Sequence, residues 1–279
     1  MKRLDDIKVS VLVPTFQRRD LVLRAVSRAL QQTHKNLEVV VYDDGSTDGT
    51  DAAIKGLGDK RIVYRRGQNR GEPFARNELL SMASGEYSVW LDSDDVSNVW
   101  RVETQLYAML GTCAKWVCSG TDVLGKPDTR WSCPPRMSWT MHHSMPSVMF
   151  ETRSAKKYDT RYLVSSCDMR WELEMTDSHG PPVYLPLQLY YLDRSPPDRM
   201  SDQDHNPKIA HEYAKNKERL ACERVEFYRR WVASGKSPKP VLAPIEIALA
   251  SLSRAYEGIR NTEIGFTSVD KAWRLAGGN

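Results

Sequence analysis

Three carboxylates stand within four residues at Asp92, Asp94 and Asp95, directly after a short apolar run. Carboxylates this close repel one another, so at neutral pH they stay ionised only where water or a cation compensates their charge. The run Tyr87–Leu91 predicts a strand, which would bring these groups to the carboxyl edge of a sheet, where open α/β folds bind ligands. Mg²⁺ and Mn²⁺ take one or two carboxylates and complete their shell with water and phosphate oxygens. The stretch therefore indicates either a metal–diphosphate site or a solvated acidic loop.

The composition is that of a soluble globular protein. The 279 residues suffice for one large domain or a domain with an appendage, and 41% are hydrophobic and 27% charged. The net charge of +4 is too small for this length to indicate a nucleic-acid binder. No apolar run approaches the roughly 18 residues that span a bilayer, and the first residues lack the apolar core of a signal peptide. We therefore expect a cytoplasmic protein without a transmembrane segment.

The cysteine pattern points to reduced thiols. Five cysteines are present, at Cys113, Cys118, Cys133, Cys167 and Cys222. No two of them form a C-x-x-C pair, so the spacing suggests neither a zinc site nor a disulfide framework.

Strand and helix signals alternate through the first half of the chain. The predicted strands are Val9–Val13, Leu37–Tyr42, Arg61–Arg65 and Tyr87–Leu91. Between them, Asp20, Thr47 or Asp48, and Pro73 would begin helices, since these residue types are common at helix N-termini. Strands that alternate with helices predict an α/β fold with a mostly parallel sheet and right-handed crossovers.

The rest of the chain is less regular. Further strands are predicted at Trp116–Val123, Ser147–Phe150 and Val183–Leu192, and a helix at Asp168–Met175. Pro186 lies inside the last strand and favours an edge position, since proline cannot donate to a sheet ladder. Residues Asp193–Pro207 predict a loop, and from Lys208 to Trp231 the pattern is helical and strongly charged. The predicted organisation is an α/β domain over 1–200 and a loop with a helical C-terminal extension over 201–279.

Four separated segments carry a family resemblance. They are Val9–Arg18, Glu38–Thr50, Asn69–Asn77 and Gly85–Asp95. In order and spacing they resemble the family-2 glycosyltransferases, closely over about residues 8–110 and more loosely to about 200. The resemblance implies the GT-A fold, a Rossmann-like, mixed and mostly parallel sheet flanked by helices, and an inverting glycosyl transfer from a nucleotide-diphosphate sugar.

The resemblance also implies a set of nucleotide-binding residues. These are Pro14, Thr15, Phe16, Arg18, Asp44, Arg76, Asp92 and Ser93. The Asp44 carboxylate can accept an N–H of uracil or guanine, Phe16 can stack on the ring, and Arg76 would face the diphosphate. Asp92 would reach the ribose hydroxyls. The alternatives are a turn-capping Asp44 and a surface helix arginine at Arg76.

The resemblance further implies a metal site for Mn²⁺ or Mg²⁺. Asp94, or alternatively Asp95, would ligate the cation, which would neutralise the diphosphate leaving group. His205 lies in a polar loop and is a candidate further ligand, with a solvated loop histidine as the alternative. His142 and His143 could line an acceptor cleft or be ordinary surface groups.

An inverting transfer needs a general base that takes the proton of the acceptor hydroxyl. The family supplies an Asp at the start of a late helix, often preceded by Glu, and Asp168 matches it. Cys167 stands where that Glu is common, which departs from the pattern. Asp168 could instead cap its helix, and Trp171, one turn further on, could shape the acceptor site or belong to the core.

The expected partners are a UDP- or GDP-sugar donor, with UDP favoured, and a carbohydrate or lipid-linked acceptor. The tail beyond residue 208 mixes both charge signs at helical spacing, which argues against a nucleic-acid surface and leaves peripheral membrane association open. Three alternatives remain. A sugar nucleotidyltransferase would normally carry a Gly-rich loop, which Val13–Arg18 lacks. The others are a non-catalytic nucleotide-sugar-binding protein and a transferase acting on modified DNA.

Overall fold

The computed structural model describes residues 3–124, 145–162 and 166–195. The predicted extension over 201–279, together with His142, His143 and His205, lies outside the described residues.

The elements follow the predicted alternation. In chain order they are β1 Val9–Thr15, α1 Arg19–Leu30, β2 Leu37–Asp43, α2 Thr50–Gly56, β3 Ile62–Arg66, α3 Glu72–Met82, β4 Tyr87–Trp90, β5 Val96–Ser97, α4 Arg101–Thr112, β6 Trp116–Val123, β7 Val148–Glu151, α5 Ser166–His179 and β8 Val183–Leu192. The helix α4 was not predicted, although Val102, Leu106 and Met109 recur at helical spacing and are buried.

The strands form one mixed sheet in the order β3-β2-β1-β4-β7-β6-β8-β5 within the described residues. Strands β3, β2, β1 and β4 are parallel, and β8 is parallel to β6. Strand β7 is antiparallel to β4 and β6, and β5 is antiparallel to β8. The prediction of a mixed, mostly parallel sheet flanked by helices is confirmed: β1 and β2 are buried along almost their whole length, and helices cover both faces.

Two apolar layers hold the helices against the sheet. Successive strand residues point to opposite faces, so Val11 and Val39 pack with α1 and α4, whereas Leu12 and Val40 pack with α3 and α5. The second layer also contains a group of stacked and edge-on rings: Trp90, Trp116, Phe150, Tyr158 and Trp171. Trp171 is fully buried among them, so it belongs to the core.

Two local predictions were wrong. Asp20 does not begin α1: the helix starts at Arg19, whose N–H donates to Asp48 Oδ2 at 2.9 Å. Asp48 Oδ1 also accepts from Thr50 N at 3.1 Å, so one carboxylate caps both α1 and α2. Strand β8 is not an edge strand, since β6 and β5 pair with it. Pro186 lies where the β6–β8 register shifts between Leu185 and Gln188, so its missing N–H interrupts no regular ladder.

Gly85 closes the turn between α3 and β4 by lying directly against β1. Its N–H donates to Ser10 Oγ at 2.9 Å. A Cβ at this position would stand 2.6 Å from Ser10 N and 2.9 Å from Lys8 O, both of which are backbone atoms.

Replacing Gly85 by alanine should therefore destabilise the fold. We expect Gly85→Ala to lower the free energy of unfolding by about 1–3 kcal/mol, because the strand backbone must shift to admit the methyl group. The matched control is Gly111→Ala in α4, where an added Cβ meets nothing within 4 Å. That change should stabilise by roughly 0.5–1 kcal/mol. Urea denaturation measures both, and equal stabilities for the two variants would contradict the packing argument.

Candidate active site

The site lies where β1, β2 and β4 end. The parallel registers of these strands bring the residues after Thr15, Asp43 and Trp90 to one edge of the sheet. Phe16 is 38% exposed there, whereas Thr15 and Ser93 are buried and Pro14 is partly buried. The structure therefore brings the predicted nucleotide-binding residues of β1 and β4 to the same edge.

Asp44 organises the neighbouring loop. Its Oδ1 accepts from Arg70 N at 3.0 Å and its Oδ2 from Gly71 N at 2.7 Å, and these residues lead directly into α3. Burial raises the pKa of Asp44, against the opposing effect of the two N–H donors. A carboxylate has about four acceptor positions, so contact with a nucleobase stays a prediction beside this structural role.

Asp95 is fully buried and held by two protein donors. Tyr190 Oη donates to its Oδ2 at 2.8 Å, and Asp193 N donates to its Oδ1 at 2.9 Å. Tyr190 Oη also accepts from Asp92 N at 3.1 Å, so one hydroxyl joins both ends of the acidic stretch. Burial, followed by the charges of Asp92 and Asp94, raises the pKa of Asp95 well above its usual range. Because both of its carboxylate oxygens accept hydrogen bonds from the protein, Asp95 is suited to hold the acidic stretch in position.

Asp94 is held by two arginines of the β1–α1 segment. Arg18 Nη1 lies 2.9 Å from its Oδ2, and Arg24 Nη2 donates to its backbone carbonyl at 2.6 Å. Arg24 also pairs with Asp193, at 2.6 Å between Nη1 and Oδ2. Arg24 and Asp193 were missed by the sequence analysis. For Asp193 one signal was available, because it directly follows a predicted strand, as Asp43 and Asp92 do.

The acidic stretch fits a hard divalent cation. One carboxylate oxygen from each of Asp92, Asp94 and Asp95 lies within 4.8 Å of the others. Oxygen donors of this kind suit Mg²⁺ and Mn²⁺. Burial raises the pKa of Asp92 to about 6, Arg76 opposes that shift, and Asp94 adds to it. A cation would favour the ionised forms of Asp92 and Asp95, whose pKa values are raised.

Arg76 lies at the centre of a second network and is only 1% exposed. Its Nε and Nη2 donate to Glu72 Oε1 at 2.9 and 2.6 Å, and Nη2 also lies 3.1 Å from Asp92 Oδ1. The Nε stands 3.5 Å from Asp168 Oδ1. Although burial disfavours its charge, the carboxylates of Asp168 and Glu72 hold the pKa of Arg76 above its ordinary value. The surface-arginine interpretation is therefore wrong.

Asp168 is the third residue of α5, so it is not the helix cap. Its side chain is 19% exposed. Burial raises the pKa of Asp168 well above its usual range, Arg76 lowers it, and the charges of Glu72 and Asp92 raise it further. Cys167 is fully buried beside this group and burial also raises the pKa of its thiol, so it stays protonated at neutral pH.

A second buried arginine, Arg101 of α4, lies behind the acidic stretch. Its guanidinium donates to the carbonyls of Trp90 and Pro146 at 2.9 and 2.6 Å and stacks 4.9 Å above the Tyr190 ring. Burial lowers the pKa of Arg101 to about 10, which leaves it charged at neutral pH. In the sequence it was indistinguishable from any helix arginine.

Solved structures share this architecture. S. aureus TarS 1–349 superposes with a TM-score of 0.61 at 17% identity, covering 97% of this chain and 79% of that chain. The same protein in complex with UDP-GlcNAc gives 0.60 at 21% identity, over 81% of this chain and 73% of that one. A mannosyltransferase from Pyrobaculum calidifontis, in complex with GDP-Man and Mn²⁺, gives 0.53 at 17% identity, over 96% and 78%. The fold is thus the GT-A fold of glycosyltransferases.

The sequence of residues 10–171 shows the family of the chain. The profile of glycosyl transferase family 2 matches residues 10–171, more than half of the chain, and the chain belongs to that family. An uncharacterized glycosyltransferase of Rickettsia conorii is 40% identical over 107 residues, which are 38% of this chain and 18% of that protein. The Escherichia coli UDP-Glc:α-D-GlcNAc-diphosphoundecaprenol β-1,3-glucosyltransferase WfaP is 35% identical over 102 residues, 36% of this chain and 41% of that protein. Each match thus spans less than half of the relative.

Removing the Tyr190 hydroxyl tests its place in the acidic stretch. Tyr190→Phe leaves Asp95 with one donor fewer and Asp92 N without its acceptor, so we expect a loss of about 1–3 kcal/mol in the free energy of unfolding. Tyr191→Phe is the control, since that hydroxyl donates to the Gln188 carbonyl at 3.2 Å instead. Thermal and urea denaturation should show the larger loss for Tyr190→Phe, and a smaller one would refute its bridging role.

Proposed function

We propose that this protein is a metal-dependent, inverting glycosyltransferase that moves a sugar from a nucleotide diphosphate, with UDP favoured over GDP, to an acceptor hydroxyl. One observation carries the proposal: Arg76 joins the donor-site carboxylate to the base candidate, with Nη2 3.1 Å from Asp92 and Nε 3.5 Å from Asp168. A nucleophile activated at Asp168 would then lie beside the site of the departing diphosphate.

The donor would bind across the ends of β1, β2 and β4. Phe16 offers an exposed ring for stacking on the base. Asp44 would accept a hydrogen bond from an N–H of the base, and Asp92 would accept hydrogen bonds from the ribose hydroxyls. The resemblance to structures in complex with UDP-GlcNAc and with GDP-Man supports a nucleotide-sugar donor. The relatives whose names specify UDP-Glc favour uracil as the base.

Asp94 would hold the metal, with Asp92 as a second oxygen donor and Asp95 positioning the stretch from behind. A divalent cation held there supplies Lewis-acid stabilisation of the departing diphosphate. The similar mannosyltransferase in complex with Mn²⁺ supports this assignment. We also propose His205 as a further ligand of this metal.

Asp168 would act as the general base. It takes the proton of the acceptor hydroxyl while that oxygen attacks the anomeric carbon and the bond from that carbon to the diphosphate oxygen breaks. Attack from the side opposite the leaving group inverts the configuration. The raised pKa of Asp168, caused first by burial, makes it a stronger base than an exposed aspartate.

A lipid-linked glycan is the acceptor class we favour. Escherichia coli WfaP and a Campylobacter jejuni relative, 41% identical over 92 residues, are both named for substrates linked to undecaprenol through a diphosphate. No helix of the described segments is long and apolar enough to cross a membrane. We infer a cytoplasmic enzyme that meets such an acceptor at the membrane surface.

Removing the base should abolish transfer and spare donor binding. We expect Asp168→Asn to lower the transfer rate about 10²–10⁴-fold, because the amide cannot take the hydroxyl proton. Asp177→Asn, an exposed position on the same helix, is the control and should keep the rate. The measurements are transfer to a diphosphate-linked lipid acceptor over a panel of nucleotide sugars with Mn²⁺, and UDP binding by calorimetry. Wild-type protein that neither binds nor turns over any donor would sink the proposal.

The pH dependence of the rate should report the charge around Asp168. Transfer requires its ionised form, so the rate rises with pH as the group loses its proton. Glu72 raises the pKa of Asp168 by its negative charge, so Glu72→Gln should move the acid limb of the pH–rate profile to lower pH. The control is Glu78→Gln on the same helix, where the carboxylate pairs with Arg65 at 3.1 Å. An unmoved or oppositely moved limb in Glu72→Gln would count against Asp168 as the titrating base.

A further inference from the structure

Arg18 and Asp94 form a shielded ion pair at the centre of the site. The distance from Nη1 to Oδ2 is 2.9 Å, and the two side chains are 12% and 8% exposed. Charge-assisted hydrogen bonds of this length are among the stronger side-chain contacts, and limited exposure weakens screening by water and salt. Arg18 thus covers one oxygen of the carboxylate that the proposed function assigns to the metal.

The backbone around Arg18 is fixed on both sides. Gln17 has a φ of 53°, which is uncommon for a residue other than glycine. Its N–H donates to Ser46 Oγ at 2.8 Å, and its side-chain amide exchanges two hydrogen bonds with Thr47, each 2.9 Å long. On the other side, Arg19 N donates to Asp48. The left-handed Gln17 and these hydrogen bonds therefore fix the backbone of Arg18 beside the acidic stretch. The Arg18 side chain can still change its rotamer.

A divalent cation and this guanidinium would compete for Asp94. Two positive groups on one carboxylate repel each other strongly at close range when little water lies between them. A diphosphate changes that balance, because its oxygens carry enough negative charge for both cations and match the planar donors of arginine. Arg18 projects from the loop between β1 and α1, at the edge where the donor is proposed to bind.

We propose that Arg18 is an exchangeable counter-cation: it neutralises Asp94 until a divalent metal takes that carboxylate, and it then binds the donor diphosphate. This inference rests on the proposed function for the identity of the donor. Arg24 binds the Asp94 backbone carbonyl and the Asp193 carboxylate. These contacts keep the Asp92–Asp95 backbone in place when the Arg18 side chain leaves Asp94, so the exchange moves only that side chain.

The exchange couples the two ligands. Metal binding frees the guanidinium for the diphosphate, and diphosphate binding removes the competitor from Asp94. Each ligand therefore tightens the other by the same factor, as linkage requires. Part of that coupling is direct contact between metal and phosphate, and the part carried by Arg18 disappears with its charge.

The test is the affinity for Mn²⁺ with and without UDP, measured on the full-length chain by the electron paramagnetic resonance signal of free Mn²⁺. Without UDP we expect Arg18→Gln to bind Mn²⁺ about three- to tenfold more tightly than wild type, as for removal of a partly buried competing ion pair. The factor by which UDP tightens Mn²⁺ binding should fall by a similar amount. Arg18→Lys retains the charge and should stay within about twofold of wild type without UDP.

Arg19→Gln is the matched control. It removes the same charge one residue away, where the guanidinium donates to Asp20 at 2.9 Å on the surface, and its Mn²⁺ affinity should stay within about twofold of wild type. Unchanged or weaker Mn²⁺ binding in Arg18→Gln overturns the exchange, and so does an equal gain in Arg19→Gln, which would reflect net charge alone. Wild-type protein that binds UDP and takes up no Mn²⁺ would instead remove the metal site of the proposed function, and the exchange with it.

Discussion

The constraint on which the rest of the structure depends is the compensation of negative charge at the end of β4. Asp94 and Asp95 are buried and Asp92 beside them is partly buried, and carboxylates in such a place need donors or cations. The fold supplies these from several sides: Arg18 from the loop between β1 and α1, Arg24 from α1, Tyr190 from β8, and Arg101 of α4 from behind the stretch. The order of the strands can be understood from this need, since β8 must reach the stretch to deliver its hydroxyl and the Asp193 N–H.

Arg76 extends the same principle from the acidic stretch to α5. It is buried in the second apolar layer, beneath the rings of Trp90 and Tyr158, and its guanidinium touches Glu72, Asp92 and Asp168. Asp92 of the proposed donor site and the base candidate Asp168 thereby belong to one electrostatic unit, in which a change in one charge affects the others. Burial and the charges of Glu72 and Asp92 raise the pKa of the partly buried Asp168, although Arg76 beside it lowers that pKa.

Much of the fold could be predicted from local signals. The β-branched runs of β1 and β2 and the helical spacing between them correctly indicated a mostly parallel sheet, and four ordered motifs correctly indicated the family. The errors were at positions where one residue type is compatible with two different local structures. Asp20 has the right type for a helix cap, but Asp48, distant in sequence, does the capping. Pro186 suggested an edge strand, but a register shift accommodates it inside the sheet.

The sequence by itself determined the acidic stretch, its place after a strand, and the residues that mark the family, because these depend on residue type and spacing. The tertiary structure alone decided which groups compensate them. Arg24, Arg101 and Tyr190 carry no local signal that separates them from ordinary helix and strand residues. Together with Asp193 they acquire their roles only when α1, α4 and β8 meet at the end of β4. Charge compensation acts through space over a few ångströms, so it follows the packing of the chain and leaves no pattern along it.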